Sequence, residues 1–126
     1  MTDRPFGSGL RMVEVLAYEP DLLFSSRIEA AAKKVGLEFD LASTVEQLLN
    51  QLMKFTPRIV ILNLDQAEGE LGRLEEHVKR GASKFVGYYS HTNTRLVEEA
   101  QRMGLNLILP RGAFVSRLDG IVKELR

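Results

Sequence analysis

The residues of this chain best equipped for polar chemistry fall just beyond its apolar runs. Glu19 follows Val15-Leu16-Ala17-Tyr18, Asn63 and Asp65 follow Ile59-Val60-Ile61-Leu62, Tyr89, Ser90 and His91 follow Phe85-Val86, and Arg111 follows Leu107-Ile108-Leu109. Acidic side chains brought together could bind a cation, and a carboxylate could act as a nucleophile. A hydroxyl beside an imidazole could attack a carbonyl, and an arginine could receive an anion. Several of these chemistries fail at once. Ser90 and His91 are adjacent, and neighbouring loop residues seldom present a hydroxyl to an imidazole; no Gly-x-Ser-x-Gly sequence is present either. With two His and no Cys, the chain lacks the ligands of a transition-metal site and has no thiolate. His77 lies among Glu75, Glu76, Lys79 and Arg80, the pattern of a solvated helix face. Gly7-Ser8-Gly9 starts like a dinucleotide fingerprint but precedes the first strand and lacks the third glycine. Glu19-Pro20-Asp21 places negative charge where a flavin-binding domain needs a phosphate loop.

The elements that must position the remaining residues follow from hydropathy period. Met12 to Tyr18 is an apolar run of strand length, and Pro20-Asp21 marks a turn into a helix. Leu22, Leu23, Phe24, Ile28, Ala31, Ala32 and Val35 are assigned to the inner stripe of that helix, which stops at Gly36. Leu37, Phe39 and Leu41 alternate with Glu38 and Asp40, as in a half-exposed edge strand. Ser43-Thr44-Val45-Glu46 fits a capping box, opening a second helix with Val45, Leu48, Leu49 and Leu52 inward. Ile59 to Leu62 has no alternation, which points to a central strand covered on both faces. Leu71, Leu74 and Val78 space a third helix ending near Gly81, and Lys84 to Tyr89 forms a fourth strand. Asn93 or Thr94 caps a fourth helix through Leu96, Val97, Ala100 and Met103, closed by Gly104. Leu105 to Leu109 gives a fifth strand, and Phe114, Leu118, Ile121, Val122 and Leu125 stripe a last helix.

Strands alternating with helices in 126 residues imply parallel pairing through right-handed crossovers and a sheet covered on both faces. The expected fold is α/β: a flavodoxin-like three-layer sandwich with a five-stranded parallel sheet, order 2-1-3-4-5, and five helices. In such sheets sites form at the carboxyl ends of the strands, which is where Ala17, Tyr18, Glu19, Asn63, Asp65, Tyr89, Ser90 and Arg111 fall. A hydrophobic content of 44% supports one core, and 17 Lys+Arg balance 17 Asp+Glu, with neither half of the chain polarised. That balance argues against nucleic acid and acidic membrane as partners. No apolar run approaches the roughly 20 residues of a membrane helix, and residues 1–10 read as a flexible lead-in without a signal-peptide core. The lack of cysteine fits a reducing, cytoplasmic setting.

From Arg11 to Arg126 the chain resembles the receiver domains of two-component response regulators (CheY-like). The echoes are Val15-Leu16-Ala17-Tyr18-Glu19-Pro20-Asp21, Pro57-Arg58-Ile59-Val60-Ile61-Leu62-Asn63, and Gly104 through Arg111. The resemblance implies an acidic pair for magnesium at the first strand end, a phosphate-accepting Asp at the third, a Thr or Ser at the fourth and a Lys at the fifth. Here those places hold Ala17 and Tyr18, Asn63, Tyr89 or Ser90, and Arg111. A methyl group and a phenol supply no hard oxygen ligand for magnesium, and a carboxamide is not an acyl-phosphate nucleophile. Asp65, on the same strand face as Asn63, is a substitute acceptor in principle, and Glu19 is expected to be a solvated acid near a helix N-terminus. Tyr18 is expected to fill the vacated metal pocket, and Arg111 to bond Asp65, Glu19 or Asn63. The resemblance also makes the face of the fourth helix, fifth strand and fifth helix a partner surface. Tyr88, Tyr89 and Phe114 are its aromatic switch candidates, the alternative being that they are ordinary packing.

The expectation is therefore a degenerate pseudoreceiver over 11–126 without the phosphorylation site. It is expected to have no enzymatic activity, metal or cofactor, and to signal through phosphorylation-independent contact with a separate signalling protein. A homodimer is compatible with this. The alternative is a small anionic ligand or nucleotide bound in the crevice at the strand carboxyl ends.

Overall fold

The computed structural model describes residues 12–90 and 93–126; the lead-in assigned to 1–10, Arg11 and His91 lie outside the described residues. The strands are β1 (Val15–Tyr18), β2 (Phe39–Ala42), β3 (Ile59–Asn63), β4 (Lys84–Tyr89) and β5 (Leu107–Pro110). The helices are α1 (Leu22–Lys34), α2 (Val45–Lys54), α3 (Glu75–Arg80), α4 (Thr94–Met103) and α5 (Arg111–Leu125). All strand pairs are parallel, in the order β2-β1-β3-β4-β5. The expected sandwich and strand order are the observed ones.

Side-chain alternation divides the core into two layers. Leu16, Tyr18, Val60, Leu62 and Phe85 point from the sheet towards α2, α3 and α4, where Leu48, Val78 and Ala100 meet them. Val15, Ala17, Ile59, Ile61, Val86 and Tyr88 point to the opposite layer, against Phe24 and Ile28 of α1 and Phe114, Leu118 and Val122 of α5. All five β3 residues are buried, which is why that strand carries no polar alternation.

Three sequence assignments need correction. Leu22 and Leu23 are not on the inner stripe of α1: they are 70% and 84% exposed. Successive helical residues are turned by about 100°, so three consecutive apolar residues cannot all face inward. Asp21, whose Oδ1 accepts from Leu23 N and Phe24 N, sets the phase with Phe24 buried. The capping box is displaced by one residue. Thr44 is the N-cap and accepts from Gln47 N, while Gln47 Oε1 accepts from Ser43 N; Glu46 turns outward to pair with Arg73. The fifth strand starts at Leu107 rather than Leu105 because Leu105 N donates to Ala100 O, finishing α4 beyond the left-handed Gly104.

The third helical segment opens as a 3-10 turn (Leu71–Leu74) before α3 and ends at left-handed Gly81. Gly72 within that turn weakens the α conformation there.

Candidate functional site

The strand register brings three polar residues together. Asn63 pairs with Tyr88 across β3 and β4, and Tyr18 pairs with Leu62 across β1 and β3, so Glu19 comes level with Asn63. Glu19 N continues the ladder by donating to Ala42 O. Because side chains alternate, Glu19, Asn63 and Tyr88 all fall on the sheet face that α1 and α5 cover. Their strands are neighbours in space although 69 residues separate Glu19 from Tyr88.

There Asn63 and Tyr88 converge on Glu19, a buried triangle of side chains with the acid as the shared acceptor. Asn63 Nδ2 donates to Glu19 Oε1 at 3.0 Å, and the Tyr88 hydroxyl donates to the same oxygen. Asp21 N donates to Glu19 Oε2 at 2.9 Å. Asn63 Oδ1 accepts from Gln66 N at 3.2 Å, tying the triangle to the loop after β3. Glu19 is 1% exposed, Tyr88 1% and Asn63 6%. An ionised carboxylate only accepts hydrogen bonds, and three donors meet this one, the condition under which a buried acid is tolerated. Burial, and then the bond to Glu19, push the Tyr88 phenol far above its ordinary ionisation range. Burial also raises that of Tyr18, reinforced by Glu70 and Glu19.

Aromatic rings seal the triangle from the helix side. Tyr88 stacks on Phe114 with centroids 4.5 Å apart and an interplanar angle of 17°. Phe24 tilts against both rings at 5.2 and 6.2 Å. The Arg111 guanidinium lies 3.9 Å from the Phe24 ring centroid.

Several expectations for this rim are overturned. Glu19 is no solvated loop acid but the buried centre of the site, because the ladder continues one residue past β1 and directs its side chain inward. Tyr18 does not occupy the place beside it: its ring packs in the layer of α2 and α4, and its hydroxyl donates to Gln66 O at 3.0 Å. The group that fills the crevice on the α1 and α5 side is Tyr88. Arg111 bonds none of Asp65, Glu19 and Asn63, for each already has its partners. Glu19 and Asn63 are satisfied within the triangle, and Asp65 Oδ2 accepts from Ser90 N at 2.7 Å and Ser90 Oγ at 2.6 Å. Ala17 is fully buried and lies in the same layer as Tyr88, Phe24 and Phe114. Tyr89 points to the other face and packs, partly buried, against the α2 and α4 layer.

The residues present do not fit a magnesium ion. Ala17 offers no ligand, Tyr18 is turned away, and both Glu19 oxygens are occupied by hydrogen-bond donors that a cation would have to displace. Among the described residues no group of three or more His, Asp or Glu is placed to hold a metal. His77 is at the opposite end of the strands, near Phe55, Arg80 and Phe85. It is half-buried rather than fully solvated, and burial with the nearby Arg80 lowers its pKa.

The buried triangle went unnoticed in sequence because its members are 44 and 25 residues apart. What brings them level is the register, in which Tyr18 pairs with Leu62 and Leu62 with Gly87, so the residue after each falls on one sheet face.

No protein-family description matches the chain, and no curated protein matches it in sequence. Its fold does match solved structures of response regulators. A response regulator from Thermotoga maritima superposes with a TM-score of 0.75 at 13% identity, over 91% of this chain and 98% of that one. The receiver domain of NtrX from Brucella abortus gives 0.73 at 19%, over 89% and 97%. A chemotaxis response regulator of Vibrio cholerae gives 0.73 at 13%, over 92% and 100%. The chain therefore has the receiver-domain fold, at identities that establish the fold alone.

Proposed function

We propose that this chain is a pseudoreceiver: a signalling or regulatory module that acts through protein contacts and does not depend on phosphorylation. The observation that carries the reading is the buried Glu19 at the strand ends, with Asn63 and Tyr88 both bonded to it. A phosphate-accepting receiver needs an open carboxylate there with a metal beside it; this chain has a carboxamide and a phenol that both donate to one buried acid. Asp65, the acid of the β3 loop closest in sequence to Asn63, is engaged by Ser90. The chain has no enzymatic activity in this reading, and its partner is another signalling protein, with self-association a compatible mode. Balanced charge argues against nucleic acid, and no helix among the described residues is long and apolar enough to cross a membrane. A cytoplasmic location goes with this reading. The alternative of an anion seated inside the strand-end crevice loses ground, because side chains of the protein already fill it.

Two measurements test the proposal together. Incubation with magnesium and a small phosphodonor, followed by intact mass spectrometry, is expected to leave the mass unchanged; a phosphate gain abolished by Asp65→Ala would overturn phosphorylation independence. Immobilised protein is expected to retain a specific partner from lysate of its own source, with no phosphodonor present. A folded variant altered at Tyr89 and Arg111 is expected to lose that partner.

A further inference from the structure

The groove between the N-terminal turns of α1 and α5 lies outside the buried triangle and borders it at Asp21 and Phe24. It encloses about 310 Å³ and is lined by Asp21, Leu23, Phe24, Arg27, Arg111 and Val115. Its walls are two helix faces, since Leu23 and Arg27 are four residues apart on α1, as are Arg111 and Val115 on α5. Each face thus presents one arginine beside one aliphatic residue. Among the described residues neither guanidinium has an ion-pair or hydrogen-bond partner. Arg111 Cζ lies over the Phe24 ring, a contact that uses none of the guanidinium N–H donors in hydrogen bonds. The acid of the groove, Asp21, has Oδ1 committed to the start of α1. Two arginines against one aspartate leave the groove formally positive in a molecule whose total charge is zero.

We propose that this groove is a binding site for a phosphomonoester, with Arg27 and Arg111 gripping the phosphate and Leu23 and Val115 contacting the organic body. A guanidinium edge matches phosphate oxygens in pairs. A phosphomonoester carries about −1.5 to −2 charges at neutral pH, which suits two arginines facing one aspartate better than a monoanionic carboxylate does. The volume is near the lower end of small-ligand sites, roughly 300 to 1,000 Å³, and so fits a small organic body. The site borders the triangle through Asp21 and Phe24, and the proposal does not rest on the protein-contact reading.

The test is titration of the full chain with phenyl phosphate, inorganic phosphate and benzoate at constant ionic strength, followed by amide NMR and calorimetry. The expected result is saturable binding strongest for phenyl phosphate, weaker for inorganic phosphate and weakest for benzoate, with shifted amides confined to the first turns of α1 and α5. Arg27→Gln and Arg111→Gln are each expected to weaken phenyl phosphate at least about tenfold, the scale of one charge-assisted bond pair. Arg117→Gln, which removes an exposed charge from α5 outside the groove, is expected to leave binding unchanged. Absence of saturable binding would overturn the proposal, as would equal weakening by all three variants, which would mark general charge attraction. Arg27 is exposed, so its variant keeps the test sound even if loss of the Phe24 contact unsettles Arg111→Gln.

Discussion

Glu19 places a carboxyl group in a layer built otherwise from aliphatic and aromatic side chains, and the Tyr88 hydroxyl, the Asn63 amide and the Asp21 N–H make that possible. Removing one donor is a smaller insult than removing the shared acceptor. Tyr88→Phe is expected to lower stability by about 1–3 kcal/mol, the range for leaving one buried group short of a bond. Glu19→Ala strips both the amide and the hydroxyl of their acceptor, and is expected to cost about 3 kcal/mol or more. Urea denaturation of both and of the double variant checks this; the double variant should lose less than the sum, because the two side chains share one bond. A purely additive result would count against the triangle. The phenol also has a pH signature. Its raised folded-state pKa means that the neutral form is favoured by folding. The stabilisation is complete below the unfolded tyrosine value of about 10 and is lost as pH rises above it. Ultraviolet titration should find one of the three tyrosines ionising only as the protein unfolds in alkali, and that step should vanish in Tyr88→Phe.

Element boundaries record how local signals compete. Asp21, Gly81 and Gly104 mark the ends of helices α1, α3 and α4 as their sequence signals indicate. At α2 two hydroxyl residues adjoin, and Thr44 prevails over Ser43 because Gln47 reaches back to Ser43 N while Val45 and Leu48 take buried positions. Gly87 gave no local signal, being an unremarked small residue inside a strand. Its role comes from the elements that flank it. A Cβ there would lie 2.8 Å from Leu64 Cδ1 and 2.9 Å from Leu105 Cδ2, so β4 passes beneath two leucines whose side chains would have to shift to admit a methyl group. Gly87→Ala is expected to destabilise by about 1–3 kcal/mol through overpacking, measured as a lower denaturation midpoint. Trimming Leu64 to Val in the same chain should recover part of the loss if the clash is its cause.

For the molecule as a whole, one sheet serves both core layers, so α1 and α5 cannot detach without exposing the strands that α2, α3 and α4 also cover. Calorimetric and van't Hoff enthalpies are therefore expected to agree, as for one cooperative unit. Magnesium at millimolar concentration is expected to leave Tm unchanged, since a ligand stabilises only by binding the folded state. A magnesium-dependent rise abolished by Glu19→Gln would mean that the triangle opens to a cation and would remove the ground for phosphorylation independence.

The sequence by itself determined the succession of strands and helices, the parallel pairing of the strands, and the chemical poverty of the rim at Ala17 and Asn63. Those properties follow from hydropathy period, end signals and residue type, all of which are local or nearly so. What Glu19, Tyr88 and Arg111 do was decided by the tertiary structure. A glutamate after a strand is solvated or buried according to whether the ladder runs one residue further. A tyrosine becomes a hydrogen-bond donor to that acid only when β4 lies beside β3 in this register. An arginine goes to Phe24 because distant residues have already satisfied the carboxylates it was expected to pair with. Each outcome depends on partners supplied by other strands, and a local pattern carries no information about which partner is already taken.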